Sequence, residues 1–142
     1  MNTDLDTPPH ADGYLLFFRG SPWDRRDYSA EEIQQIMDSV TAWFEKLERE
    51  GKWGGGRPLM ERVKLVSGEG GRSVTDGPFP EAKEAIGGYV VLNVNSMEEA
   101  VAVARDNPML KYGQMTEVRE IASDCPTLYR ARQKLAAAAQ PV

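Results

Sequence analysis

The sequence predicts an α+β domain, and three observations predict it. The apolar run Tyr14-Leu15-Leu16-Phe17-Phe18 reads as a buried central strand. A long amphipathic stretch opens after Ser29, and a second capped stretch opens after Ser96. Between and after them lie short segments rich in Val, Leu, Ile and Tyr. At 142 residues, the chain supports one hydrophobic core rather than two.

Residues 1–12 are polar and Pro-rich and read as a flexible leader ahead of a domain over 13–121. After the first strand, Arg19-Gly20-Ser21-Pro22-Trp23-Asp24 reads as a loop feeding the first helix. Ser29 and Glu32 have capping-box spacing. Ile33, Ile36, Met37, Val40, Trp43, Phe44 and Leu47 follow on one helical face, and Gly51 supplies the left-handed stop. Trp43 and Phe44 on that stripe are core residues by position.

Gly54-Gly55-Gly56 reads as a bend or close-packing site. It lacks the Gly-Lys-Ser/Thr continuation of a phosphate loop and opens no helix. The segment from Met60 to Val66 alternates in a strand-like way. Ser67-Gly68-Glu69-Gly70-Gly71 then turns the chain, and Arg72 to Thr75 pairs back as a hairpin.

A strand over Ile86–Val94 leads to a second capping box, Ser96 with Glu99. Met97, Ala100, Val101 and Ala104 are the expected inward residues, and Asn107-Pro108 ends the helix. A final strand is expected over Gln114–Ile121. Residues 122–142 are an extension in which Thr127–Ala139 is rich in helix formers. A solvated tail is the alternative there.

Strand, helix, two or three strands, helix, strand is the order of two split β-α-β halves, a ferredoxin-like antiparallel sheet with helices on one face. Its other face is apolar and needs cover, for which a second copy of the chain is the natural partner.

Bulk chemistry narrows the function classes. A net charge of −5 opposes binding driven by phosphate neutralisation, so no nucleic-acid partner is expected. No apolar run approaches the roughly 20 residues that cross a bilayer, and the amino terminus lacks a signal-peptide layout. A cytoplasmic location and no membrane partner are the expectations. One cysteine, Cys125, excludes an internal disulfide, and one histidine, His10, excludes a histidine-clustered metal centre. No cofactor is expected. Cys125 has no basic neighbourhood to activate its thiol.

The densest stretch is Val74-Thr75-Asp76-Gly77-Pro78-Phe79, followed by Glu81, Lys83, Glu84, Gly87, Gly88 and Tyr89. Pro78 pushes Gly77 away from helical geometry, so the chain turns sharply just after placing the Asp76 carboxylate at a strand end. Position by position, this block resembles the hallmark of DGPF-domain proteins, a branch of the YCII-related family. Asn107-Pro108-Met109-Leu110-Lys111-Tyr112-Gly113 and Glu117-Val118-Arg119 are similar to the same family. Glu120 stands where the family has a proline.

The resemblance implies a homodimeric α+β barrel in which two sheets pack face to face. In the wider family a histidine early in the chain pairs with the aspartate as an acid–base site. This chain has no histidine at that position, so Asp76 needs another partner. Related barrels include enzymes of lactone isomerisation and dehalogenation, which implies a cofactor-free acid–base enzyme acting on a small organic ligand. The resemblance also implies an alternative, a non-catalytic accessory or regulatory protein that meets a protein partner in sigma-factor signalling.

Asp76 is the candidate catalytic residue, a general acid or base if burial raises its pKa. Its structural alternative is to accept backbone hydrogen bonds and lock the turn. Glu81 and Lys83 are candidate ligand-binding residues, the alternative being a solvated charged face. Arg19 ends the first strand and Trp53 opens the second. As neighbours on one cleft they would suit a small carboxylated or aromatic ligand. Otherwise Trp53 is core and Arg19 pairs with a local acid.

Overall fold

The structure, a computed structural model, describes residues 7–20, 26–77 and 85–139. Its elements run β1 (Ala11–Arg19), α1 (Ala30–Arg49), β2 (Trp53–Pro58), β3 (Lys64–Ser67), β4 (Ser73–Asp76), β5 (Ile86–Leu92), α2 (Met97–Arg105), β6 (Met115–Ala122) and α3 (Pro126–Ala139). Four strands form one sheet in the order β2-β5-β1-β6, and every neighbouring pair is antiparallel. That order is the ferredoxin-like plan expected from the sequence. β3 and β4 stand apart as a two-stranded hairpin inserted between β2 and β5.

Local chemistry sets the ends of α1. The Ser29 hydroxyl accepts from the Glu32 N–H, and the Glu32 carboxylate accepts from the Ser29 N–H, so the capping box is complete. At the other end Gly51 adopts a φ of 71°. Its N–H donates to Glu48 and that of Lys52 donates to Leu47, a Schellman closure. At α2 the Ser96 hydroxyl caps Glu99, but the Glu99 carboxylate reaches the Asn95 N–H rather than that of Ser96. Asn107 ends the region as expected, then caps a short 3-10 helix, Pro108–Tyr112, by accepting from the Met109 N–H.

Helices α1 and α2 pack on one face of the sheet. Tyr14 and Leu16 of β1, Val90 and Leu92 of β5, Trp43 and Leu47 of α1, and Ala100, Val103 and Ala104 of α2 make the core, with Phe18 and Val118 against it. Val103, rather than the expected Val101, is the inward valine of α2. Met37, expected on the buried stripe of α1, is 51% exposed. Gly54 and Gly56 are close-packing sites: a Cβ at Gly56 would stand 2.4 Å from the Tyr89 carbonyl oxygen, and one at Gly54 would stand 2.9 Å from that of Val91.

Residues alternate across a strand, so those between the core positions point the other way. Pairing Leu15 with Val91 and Arg119, and Phe17 with Tyr89 and Glu117, puts all of these on the face without helices. Leu15, Phe17, Tyr89 and Val91 are only half-buried there. The terminal extension is helical over Pro126–Ala139, yet it buries no residue. None of the described helices is long and apolar enough to cross a membrane.

Candidate functional site

Asp76 is the last residue of β4, the strand end expected of it. Its register partner across the hairpin is Lys64, whose Nζ lies 3.3 Å from the Asp76 carboxylate. The turn beyond is held by backbone: the Gly77 N–H donates to the Val63 carbonyl at 2.7 Å. Among the described residues the carboxylate therefore meets an ammonium and no backbone amide. Its side chain is 73% exposed and that of Lys64 is 50% exposed. An ion pair in such a setting contributes about 0–1 kcal/mol, so it does not fix the carboxylate in place.

Among the described residues, Asp76 lines neither of two surface depressions. The hairpin projects from the sheet, and its apolar residues Leu65, Val66 and Val74 are 54%, 66% and 55% exposed. Depressions among the described residues include two away from the hairpin. One of about 120 Å³ lies between α1 and α2 beside Trp43, Lys46 and Asp106. The other, of about 380 Å³ and open, lies along Ala11–Tyr14 and Leu92–Asn95.

Arg19 lies at the same end of the sheet as the root of the hairpin. It pairs with Ile86 at the start of β5, and Gly20 and Leu59 bond to Ala85 and Gly87 there. Its guanidinium donates to Glu117 at 2.6 Å, with both side chains about three-tenths exposed. Glu117 also lies 3.5 Å from Arg119. This Arg19–Glu117–Arg119 row crosses β1 and β6 on the helix-free face.

Trp53 does not join it. The register sets Trp53 against Leu92, at the far end of β5, some 20 Å from Ile86 by strand rise. Its ring stacks edge-on against Phe44 and overlies Gly56, so it belongs to the helix-covered face. The expectation that Arg19 and Trp53 border one cleft is corrected by that register: they occupy opposite ends and opposite faces. Trp23, Glu81, Lys83 and Glu84 lie outside the described residues.

His10, the one histidine, sits at the other end of β1 from Arg19. Its backbone pairs with Ser123, and its Nδ1 is 3.2 Å from the Ser123 hydroxyl. Among the described residues, no group of three or more His, Cys, Asp or Glu side chains is placed to hold a metal ion. Sequence reasoning missed two partners, Lys64 for Asp76 and Glu117 for Arg19. The first was within reach, because pairing Ser67 with Ser73 around the Gly-rich turn places Lys64 opposite Asp76. The second needed the β1–β6 register.

A family model for the YCII-related domain matches residues 23–123. The chain belongs to the YCII-related family. A curated relative, an uncharacterised protein of Rhizobium meliloti (strain 1021), is 33% identical over 82 residues, which is 56% of this chain and 66% of that one. Among solved structures, 5-chloro-2-hydroxyhydroquinone dehydrochlorinase of Burkholderia phenoliruptrix AC1100, in complex with 2,5-dihydroxybenzoquinone, overlaps with a TM-score of 0.42 at 18% identity. That overlap covers 76% of this chain and 92% of the other.

Proposed function

We propose that this YCII-related protein is a homodimer that binds a small organic ligand beside Asp76, with any reaction a cofactor-free proton transfer, as in isomerisation or elimination. One observation carries the reading: the turn after β4 is held by the Gly77–Val63 backbone bond, and among the described residues the Asp76 carboxylate meets Lys64 and no backbone amide. A carboxylate whose partner among the described residues is an exposed lysine can exchange that partner for a substrate proton at little energetic cost. Lys64 takes the place of the histidine that this chain lacks, as the cation beside the carboxylate. Glu81, Lys83 and Arg19 are the further ligand contacts in this proposal. The dimer is proposed from the half-buried Leu15, Phe17, Tyr89 and Val91 on the helix-free face.

The test is Asp76→Asn, assayed against lactones, halogenated phenols and aromatic carboxylates by calorimetric binding and by proton exchange in D2O. Binding or turnover shown by the parent should be lost, with thermal midpoint and oligomer mass unchanged. Collapse of the thermal midpoint would instead give Asp76 the turn-locking role. A parent protein that meets none of these ligands but captures a stoichiometric protein partner would favour the accessory reading.

A further inference from the structure

Helix α3 differs from α1 and α2 in having no layer that covers it. It buries no residue over its 14 positions, and an isolated helix of that length is marginal in water. Tyr129, Arg132, Gln133 and Ala136 are half-buried at helical spacing, which gives α3 an inner side. Leu128, Ala131, Leu135 and Ala138 form a separate stripe at alternating steps of three and four residues. All four are exposed, Leu135 at 72%.

An edge of α1 has the same spacing. Ile33, Met37, Val40 and Phe44 recur at steps of four, three and four, beside the buried Ile36, Trp43 and Leu47. Met37 projects from that edge into solvent. Matching three–four seams are the geometry in which two helices pack side by side. Charge fits the same pairing. α3 carries Arg130, Arg132 and Lys134 and no carboxylate, whereas Glu45 and Glu48 line the solvent side of the α1 edge. The cations of α1 do not oppose this, since Lys46 is paired with Asp106 and Arg49 lies on the far side from the seam. Arg132 is held by Asp124. Among the described residues, none of Arg130, Lys134, Glu45 and Glu48 forms an ion pair. Two copies of α3 against each other would instead set cation against cation.

We propose that α3 is a docking helix for a second copy of this chain. Its Leu128–Leu135 stripe lies along the α1 edge of the other copy, with Arg130 and Lys134 facing Glu45 and Glu48 of the partner subunit. Each copy offers one α3 and one α1, so a two-fold axis makes the contact twice. The α1 edge belongs to the helix-covered side of the sheet. This interface is therefore separate from the helix-free face, and it does not rest on the ligand-site reading.

Sedimentation equilibrium of the full chain, beside Leu135→Asp and two charge-reversed chains, tests it. Leu135→Asp should halve the mass of the assembly, from four copies to two where the helix-free face also pairs and from two to one where it does not. Arg130→Glu/Lys134→Glu in one chain and Glu45→Lys/Glu48→Lys in another should each raise the dissociation constant of that step at least ~10-fold. An equimolar mixture of the two reversed chains should recover the parent's association, because both contacts are then complementary again. A parent mass that Leu135→Asp leaves unchanged, or reversed chains that do not recover on mixing, would overturn the docking helix. So would a parent that is monomeric at all concentrations and binds vesicles of anionic lipid through Arg130 and Lys134 instead.

Discussion

The sheet with its two packed helices and the β3–β4 hairpin are built from similar residues and reach opposite outcomes. In the first, Leu16, Ile36, Val90 and Leu92 are fully buried between layers. In the second, Leu65, Val66 and Val74 form equally regular strands and stay in water. Backbone pairing alone therefore does not give an element a core; a second layer does. The half of the molecule with the second layer carries the stability. The half without it carries Asp76, the residue on which the proposed chemistry rests.

That division is most directly challenged in the core. Leu16→Ala removes a side chain with no exposure and should cost about 2–5 kcal/mol, read as a lower denaturant midpoint at unchanged slope. Gly56→Ala comes next. Its Cβ would collide with the Tyr89 carbonyl, and the β2–β5 pairing should loosen by about 1–3 kcal/mol, with faster amide exchange at Tyr89 and Val90. In the hairpin, Val74→Ala should move unfolding by no more than about 0.5 kcal/mol at high dilution. A loss at Val74 as large as that at Leu16 would mean that the hairpin is packed within its own chain, and the contrast would fail.

The smallest effect concerns acid. Lys52, hydrogen-bonded to Glu50 at the end of α1, holds the Glu50 carboxyl below its ordinary range. A depressed folded-state pKa adds stability above the unfolded-state value, and the gain disappears as pH falls through the folded-state value. Glu50→Gln should therefore lower stability slightly in the neutral region and match the parent at the acid end, flattening the acid limb, as followed by thermal melts from pH 3 to 7.

Much of the fold was legible because its signals are local. Ser29, Glu32 and Gly51 specify both ends of α1 within a few residues of the atoms they bond. The continuous apolar run from Tyr14 to Phe18 marks β1, and the strand order follows from the sequence of elements. Three glycines in a row have no side-chain pattern, so the sequence leaves Gly54-Gly55-Gly56 between a bend and a close-packing site; they are strand residues selected by the closeness of β5. Met60, read as the start of the next strand, precedes it and is 88% exposed. The site was legible in part. Asp76 at a strand end and Arg19 at another were readable, as was the absence of a histidine beside them. Which of Arg19 and Trp53 shares an end with the hairpin was not, since that depends on pairings with β5 and β6, far along the chain.

The central position of β1 has a consequence for the making of the protein. Leu16 finds its two neighbours in Val90 and Val118, and the root of the strand at His10 closes on Ser123, 113 positions away. Contacts of that span are slow to form, because loop closure precedes any gain from them. At synthesis rates of about 5–20 residues per second, the first strand to leave the ribosome waits about 5–20 s for the last. During that interval Leu15, Leu16, Phe17 and Phe18 are an unpaired apolar segment of the nascent domain, the natural place for a chaperone to hold it.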